Sequence, residues 1–159
     1  APTQFESHVR AKIDQLDGFM QRCVDAIAGA PLQDTFRKLS PILRAGVSDN
    51  FTHSGSPFGP WPERKSKRPA GQWENPLLIL SGDLYEAATS DFGAGHVEIY
   101  DVREMAIGID PQVIPYAAVH NFGGEHMPQR QFMVVDPTVV DACVEIVTAD
   151  MYAILNGVR

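Results

Sequence analysis

The order of patterns along this chain predicts an α+β fold. Three observations carry that prediction. Apolar stripes of helical period occupy both ends, a pair of segments alternating apolar and polar residues lies between them, and a long proline- and glycine-rich stretch separates the two kinds of pattern. The expected architecture is N-terminal helices, a long loop, a small antiparallel β-sheet and a C-terminal helix packed on that sheet. All of it forms one domain over residues 1–159, long enough to bury its own core.

Each element has a local reason. Residues 3–28 read as a helix, because Phe5, Val9, Ile13, Leu16, Met20, Val24 and Ile27 recur at three- and four-residue steps. Thr3 and Glu6 have capping-box spacing, and Gly29 and Pro31 end the run. A second helix is expected from about Ser40 to His53, capped by Ser40 with Pro41 in its first turn, and residues 34–39 form a short preceding turn. Prolines and glycines from Gly55 to Pro76 exclude regular structure of any length over residues 54–76. Trp61 is expected to anchor one end of this protruding loop to the core. The apolar run Leu77-Leu78-Ile79-Leu80 fits strand or helix, with Gly82 marking a turn or a close backbone crossing. His96–Tyr100 and Glu104–Asp110 alternate with the period of half-buried strands, forming a hairpin that turns near Asp101-Val102. Phe132 to Val135 reads as a further short strand. Asp136-Pro137 then caps a helix whose stripe runs through Val140, Cys143, Val144, Val147, Met151, Ile154 and Leu155 to Gly157.

Composition narrows the function classes. With 44% hydrophobic and 21% charged residues the chain is ordinary globular material. No apolar run reaches the roughly 20 residues that span a bilayer, so no membrane partner is expected. The opening Ala1-Pro2-Thr3-Gln4 shows no secretory leader, and an initiator methionine removed before Ala1 is a simpler reading than a leader already lost. Cys23 and Cys143, both on helical stripes, suit reduced thiols better than a disulfide. The formal net charge of −7 argues against surface-wide binding to a nucleic-acid backbone. It remains compatible with an acidic or neutral wall along which DNA slides.

The chemistry-bearing residues are few. Of the histidines His8, His53, His96, His120 and His126, only the last two flank a carboxylate, Glu125, and their spacing matches no metal-ligand pattern. A small metal-dependent hydrolase using His120, Glu125 and His126 is the alternative reading, and no cofactor is expected on the main one. Ser54, Ser56 and Ser81 adjoin glycines without forming a nucleophile elbow, and Gly93 and Gly95 lack the context of a dinucleotide site. Arg64-Lys65-Ser66-Lys67-Arg68 sets four positive charges in five residues, flanked by Trp61 and Trp73. It suits contact with phosphate or an acidic partner, or a solvated loop. Arg130 could fork onto a carboxylate within the subunit or across a contact, or be an ordinary exposed arginine.

The most informative stretch runs from Pro115 to Phe132. Tyr116-Ala117-Ala118-Val119-His120-Asn121-Phe122 leads into Gly123-Gly124, and Met127-Pro128-Gln129-Arg130-Gln131-Phe132 follows. It is poor in nucleophiles and rich in backbone-shaping residues: Gly123, Gly124 and Pro128, like Gly82 earlier in the chain. Together with Ser56-Pro57-Phe58-Gly59-Pro60-Trp61 after the Phe51 helix end, and Leu78-Ile79-Leu80-Ser81-Gly82-Asp83-Leu84, it gives four pieces in fixed order. In these pieces the chain resembles the Mu-like phage virion morphogenesis family, which also covers tail completion proteins. The resemblance runs from Leu39 to Leu155 and is weakest in the first helix. Between Trp61 and Pro76 the chain carries more charge and proline than the family pattern.

The resemblance implies a non-enzymatic structural protein at the head–tail joint of a tailed phage, made in the host cytoplasm and ending in the virion. Such neck proteins form rings around the DNA channel, commonly of about six subunits. The implied partners are copies of itself, the neighbouring head–tail connector and the tail-tube proteins, while genome DNA passes through without sequence-specific binding. No catalytic residues carry over from the family. The residues expected at contacts are Phe58, Trp61, Arg64, Lys65, Lys67, Arg68, Trp73, Tyr116, His120 and Arg130. Replacing Arg130 with alanine is expected to weaken assembly and leave the monomer folded.

Overall fold

The computed structural model describes residues 4–65, 77–79 and 81–158, without the side chains of residues 4–9, 11 and 13. Its elements are α1 (Gln4–Gly29), α2 (Gln33–His53), β1 (Gly55–Ser56), β2 (Gly59–Pro60), α3 (Asp83–Thr89), β3 (His96–Tyr100), β4 (Met105–Ile109), α4 (Ala117–Phe122) and α5 (Pro137–Asn156). The class is α+β. The Thr3–Glu6 cap and the end of the basic run, Lys67 and Arg68, lie outside the described residues, as does Trp73.

Two of the expected boundaries move. The second helix begins at Gln33 and runs straight through Pro41, with no separate turn before it. A proline inside a helix forfeits a backbone hydrogen bond and costs about 3 kcal/mol. Here the turns on its N-terminal side are held from outside. Phe36 and Leu39 are buried, Thr35 Oγ1 donates to Asp150 of α5 at 2.6 Å, and Lys38 Nζ donates to the same carboxylate at 2.8 Å. The second correction concerns Phe132 to Val135, which pairs with no strand among the described residues. The sheet it was expected to join is the β3–β4 hairpin alone, in the register His96↔Ile109 to Tyr100↔Met105. Side chains do the work of the missing neighbour. Asn50 Nδ2 donates to the carbonyls of Phe132 and Val134 at 2.8 and 2.7 Å. The Asn121 side-chain oxygen accepts from the amides of Phe132 and Met133 at 3.0 and 2.9 Å.

The ambiguous run after the loop is neither strand nor helix at Leu77–Ile79. Gly82, at φ 94°, turns the chain into α3. The C-terminal helix starts as its cap predicts, with Asp136 Oδ1 accepting from Thr138 N at 2.8 Å. It lies chiefly against α2 and α1, and it shares a cluster with the hairpin only through Tyr100 and Met105. The apolar interior is thus divided. One cluster joins Leu32, Phe36, Leu39 and Cys143 near the α1–α2 junction. The other joins Val47, Phe51, Trp61, Leu84, Ile114, Ala117 and Phe132 at the far end of α2. Cys23 and Cys143 are free thiols, and burial pushes the Cys143 thiol up.

Between α2 and the hairpin lies a polar knot that the sequence did not announce. Glu98 accepts from Ser40 Oγ at 2.6 Å, Arg44 at 3.0 Å and His96 Nε2 at 2.9 Å. The Tyr100 hydroxyl also donates to it, while His96 Nδ1 faces the Ala87 carbonyl at 2.7 Å. Burial pulls the Glu98 carboxyl upward. The donors from Ser40, Tyr100 and His96 and the Arg44 charge outweigh that pull and hold it at about 2, against an ordinary 4.5. A depressed carboxyl adds stability above its unfolded value and loses it as pH falls through its folded value. Urea midpoints should therefore fall as pH drops from 4.5 toward 2, by roughly 2–3 kcal/mol in unfolding free energy. Glu98→Gln should flatten that decline. An equally steep decline in the variant would assign the effect to other acids.

Candidate functional site

A cleft of about 500 Å³ opens beside the second cluster. Its floor is apolar: Leu77, Leu78, Ile79, Leu84 and Met127. Its charged lining is cationic: Arg64, Lys65 and Arg130, with His120 and His126 beside them, and no described lining residue is acidic. Leu78 sits at φ 64°, in the left-handed region that a leucine rarely adopts. Such a conformation costs of order 1 kcal/mol or more and persists only where surrounding contacts enforce it.

Half of the contact and backbone-shaping residues singled out in the sequence meet here. Arg64, Lys65, Gly82, Tyr116, His120, Pro128 and Arg130 all line the cleft. Short α4 places the Tyr116 and His120 rings edge to face, 5.9 Å apart. Gly123 ends that helix at φ 80°, and a Cβ there would stand 3.2 Å from the Gln129 backbone, so the close return of the chain needs glycine. The return is closed by Arg130 N donating to His120 O at 2.7 Å and by Gly124 N donating to Met127 O at 2.9 Å. Burial, then the Arg130 charge, push the His120 imidazole down. Its Nδ1 is buried without a hydrogen-bond partner among the described residues.

Two of the expected contact residues, Trp61 and Phe58, take other places, and Arg130 lines the cleft in another role. Trp61 is core, as its expected anchoring role requires, with its ring 5.6 Å from Phe51 and Nε1 donating to Gln131 O at 3.1 Å. Buried so, it offers no ring to a neighbour. Arg130 is also buried. It forks onto main-chain carbonyls rather than a carboxylate, from Nε to Pro62 O at 2.9 Å and from a terminal nitrogen to Glu63 O at 3.3 Å. It therefore ties the start of the loop to the strand-like return, and an alanine there would read monomer integrity together with assembly. Phe58 is 73% exposed at the tip of the β1–β2 turn, away from the cleft.

Glu125 and His126 are exposed. Among the described residues no three His, Cys, Asp or Glu side chains converge to hold a metal ion. What periodicity could not show is which stripes stay uncovered. Leu16, Met20 and Val24 of α1, and Val140, Val144 and Tyr152 of α5, are all exposed. No described helix is long and apolar enough to cross a membrane. Comparison of the chain with protein-family models, with curated proteins and with solved structures finds no match.

Proposed function

We propose that this protein is a structural, ring-forming subunit of a tailed-phage neck, acting in tail completion around the DNA channel. The observation that carries this reading is the meeting of the four resembling segments. Phe51 and Trp61, Leu84, Ala117 and Phe132, one or more from each segment, share a single buried cluster. Three of these segments also wall one cleft. Residues spread over the chain thus act as one unit, as expected when a motif set specifies a shaped surface and not isolated turns. The exposed apolar stripe Leu16, Met20 and Val24 of α1 and the exposed pair Val140 and Val144 of α5 add support, since uncovered apolar faces mark interaction sites.

Native mass spectrometry of the purified chain should show one closed multimer, and negative-stain images should show annuli with an open centre. The same polypeptide should be found at the head–tail joint of purified particles by immunogold labelling. A chain that stays monomeric at high concentration and is missing from particles would overturn the proposal.

A further inference from the structure

We infer that the exposed face of α1 from one copy docks into the cleft of a second copy, and that this head-to-tail contact closes the ring. The inference rests on the ring reading above and names its two surfaces.

The first surface is an apolar stripe with an acidic edge. Leu16, Met20 and Val24 follow one another at four-residue steps and are 61%, 55% and 54% exposed. At 100° per residue Asp17 stands immediately beside the stripe, while Asp14 and Asp25 lie about 120° and 140° from its centre, toward the back of the helix, and Lys12 flanks the stripe on its other side. Arg22, the one cation in the described part of α1 after Lys12, falls on the other side, over the Phe19 ring at 5.9 Å. The second surface offers an apolar floor of Leu77, Ile79 and Met127, rimmed by the exposed Lys65 and His126, with the buried Arg130 in the wall behind them. An amphipathic helix entering a groove is read through anchors at this spacing, and opposite rims fix its orientation.

Position in the fold makes the pairing head-to-tail. The C-terminal end of α1 is pinned to the hairpin tip, where Arg103 donates to Ile27 O and Leu32 N donates to Val102 O at 3.0 Å. The cleft lies beyond the opposite end of that hairpin, past the link from Asp110 N to Gly95 O at 2.8 Å and from Ile114 N to Asp110 O at 3.0 Å. A stripe held at one end of the hairpin and a groove at the other cannot satisfy each other by a local fold-back at the hairpin. Two unlike patches at separate places on a subunit generate rings when the rotation closes.

Charge exchange in the full chain tests this. Lys65→Glu with His126→Glu, or Asp14→Lys with Asp17→Lys, should each reduce the assembled fraction in native mass spectrometry by about tenfold. Combining both sets should restore most of it. Met20→Asp should abolish assembly, with far-UV circular dichroism unchanged, because the residue is exposed. A ring that forms equally in all variants, or a combined variant no better than either half, would overturn the docking and leave the ring reading standing. A closed dimer obeying the charge exchange would uphold the docking and overturn the ring. A wild-type chain that stays monomeric would overturn both.

Discussion

Phe51→Ala should lower the unfolding free energy by about 3–5 kcal/mol, read as a shift of the urea midpoint at unchanged slope. Phe51 is fully buried. Its ring meets Trp61 and Tyr85 edge to face, at 5.6 and 5.3 Å, and leans on Phe132 at 5.4 Å. These three neighbours come from the loop start, from α3 and from the return after α4. Removing the ring leaves a cavity that no single element can collapse to fill, which places the site toward the costly end of large-to-small substitutions. A native domain is stable by only about 5–15 kcal/mol, so the loss is a large share of the total. Trp61 offers a local readout. In a Trp73→Phe background its emission should shift to the red when Phe51 is truncated. A midpoint shift below about 1 kcal/mol would mean that the three segments hold together without this ring.

How much of this was legible in the sequence depends on how local each cause is. The hairpin could be read because its alternation is a local period-two signal within residues 96–110, and the observed strands fall within the expected ranges. The start of α5 could be read because Asp136 and Pro137 encode a cap by themselves. Pro41 misled because the contacts that tolerate it come from Asp150, more than a hundred residues away. Glu98 was only half legible: His96 and Tyr100 flank it on the same face of β3, but Ser40 and Arg44 become its donors only when α2 crosses the hairpin. Many of the cleft residues are legible in the sequence: Tyr116, His120, Pro128 and Arg130 through their motif, Arg64 and Lys65 through charge. The burial of Arg130 is not, because its acceptors are the main-chain carbonyls of Pro62 and Glu63, which no side-chain pattern can encode.

The Phe132 segment shows the same limit and leads to the second large effect. An apolar run bounded by proline and a helix cap reads as a strand, because its backbone must find partners somewhere. Two asparagines supply them, Asn50 for two carbonyls and Asn121 for two amides. Both asparagines are buried, so water does not readily take their place. Asn121→Ala strands the amides of Phe132 and Met133 and should cost about 2–4 kcal/mol, more than one ordinary hydrogen bond is worth. Hydrogen exchange at those two amides should accelerate well beyond that at the β3–β4 ladder. Asn50→Ala should cost a similar amount through the carbonyls of Phe132 and Val134. The two losses should not add, because once either clamp is gone the segment is free to swing its remaining groups toward solvent. A double variant about as destabilised as the worse single one is the expected outcome. Strict additivity would mean that each asparagine holds its own half of the segment independently, and that the strand-like return is not one cooperative unit.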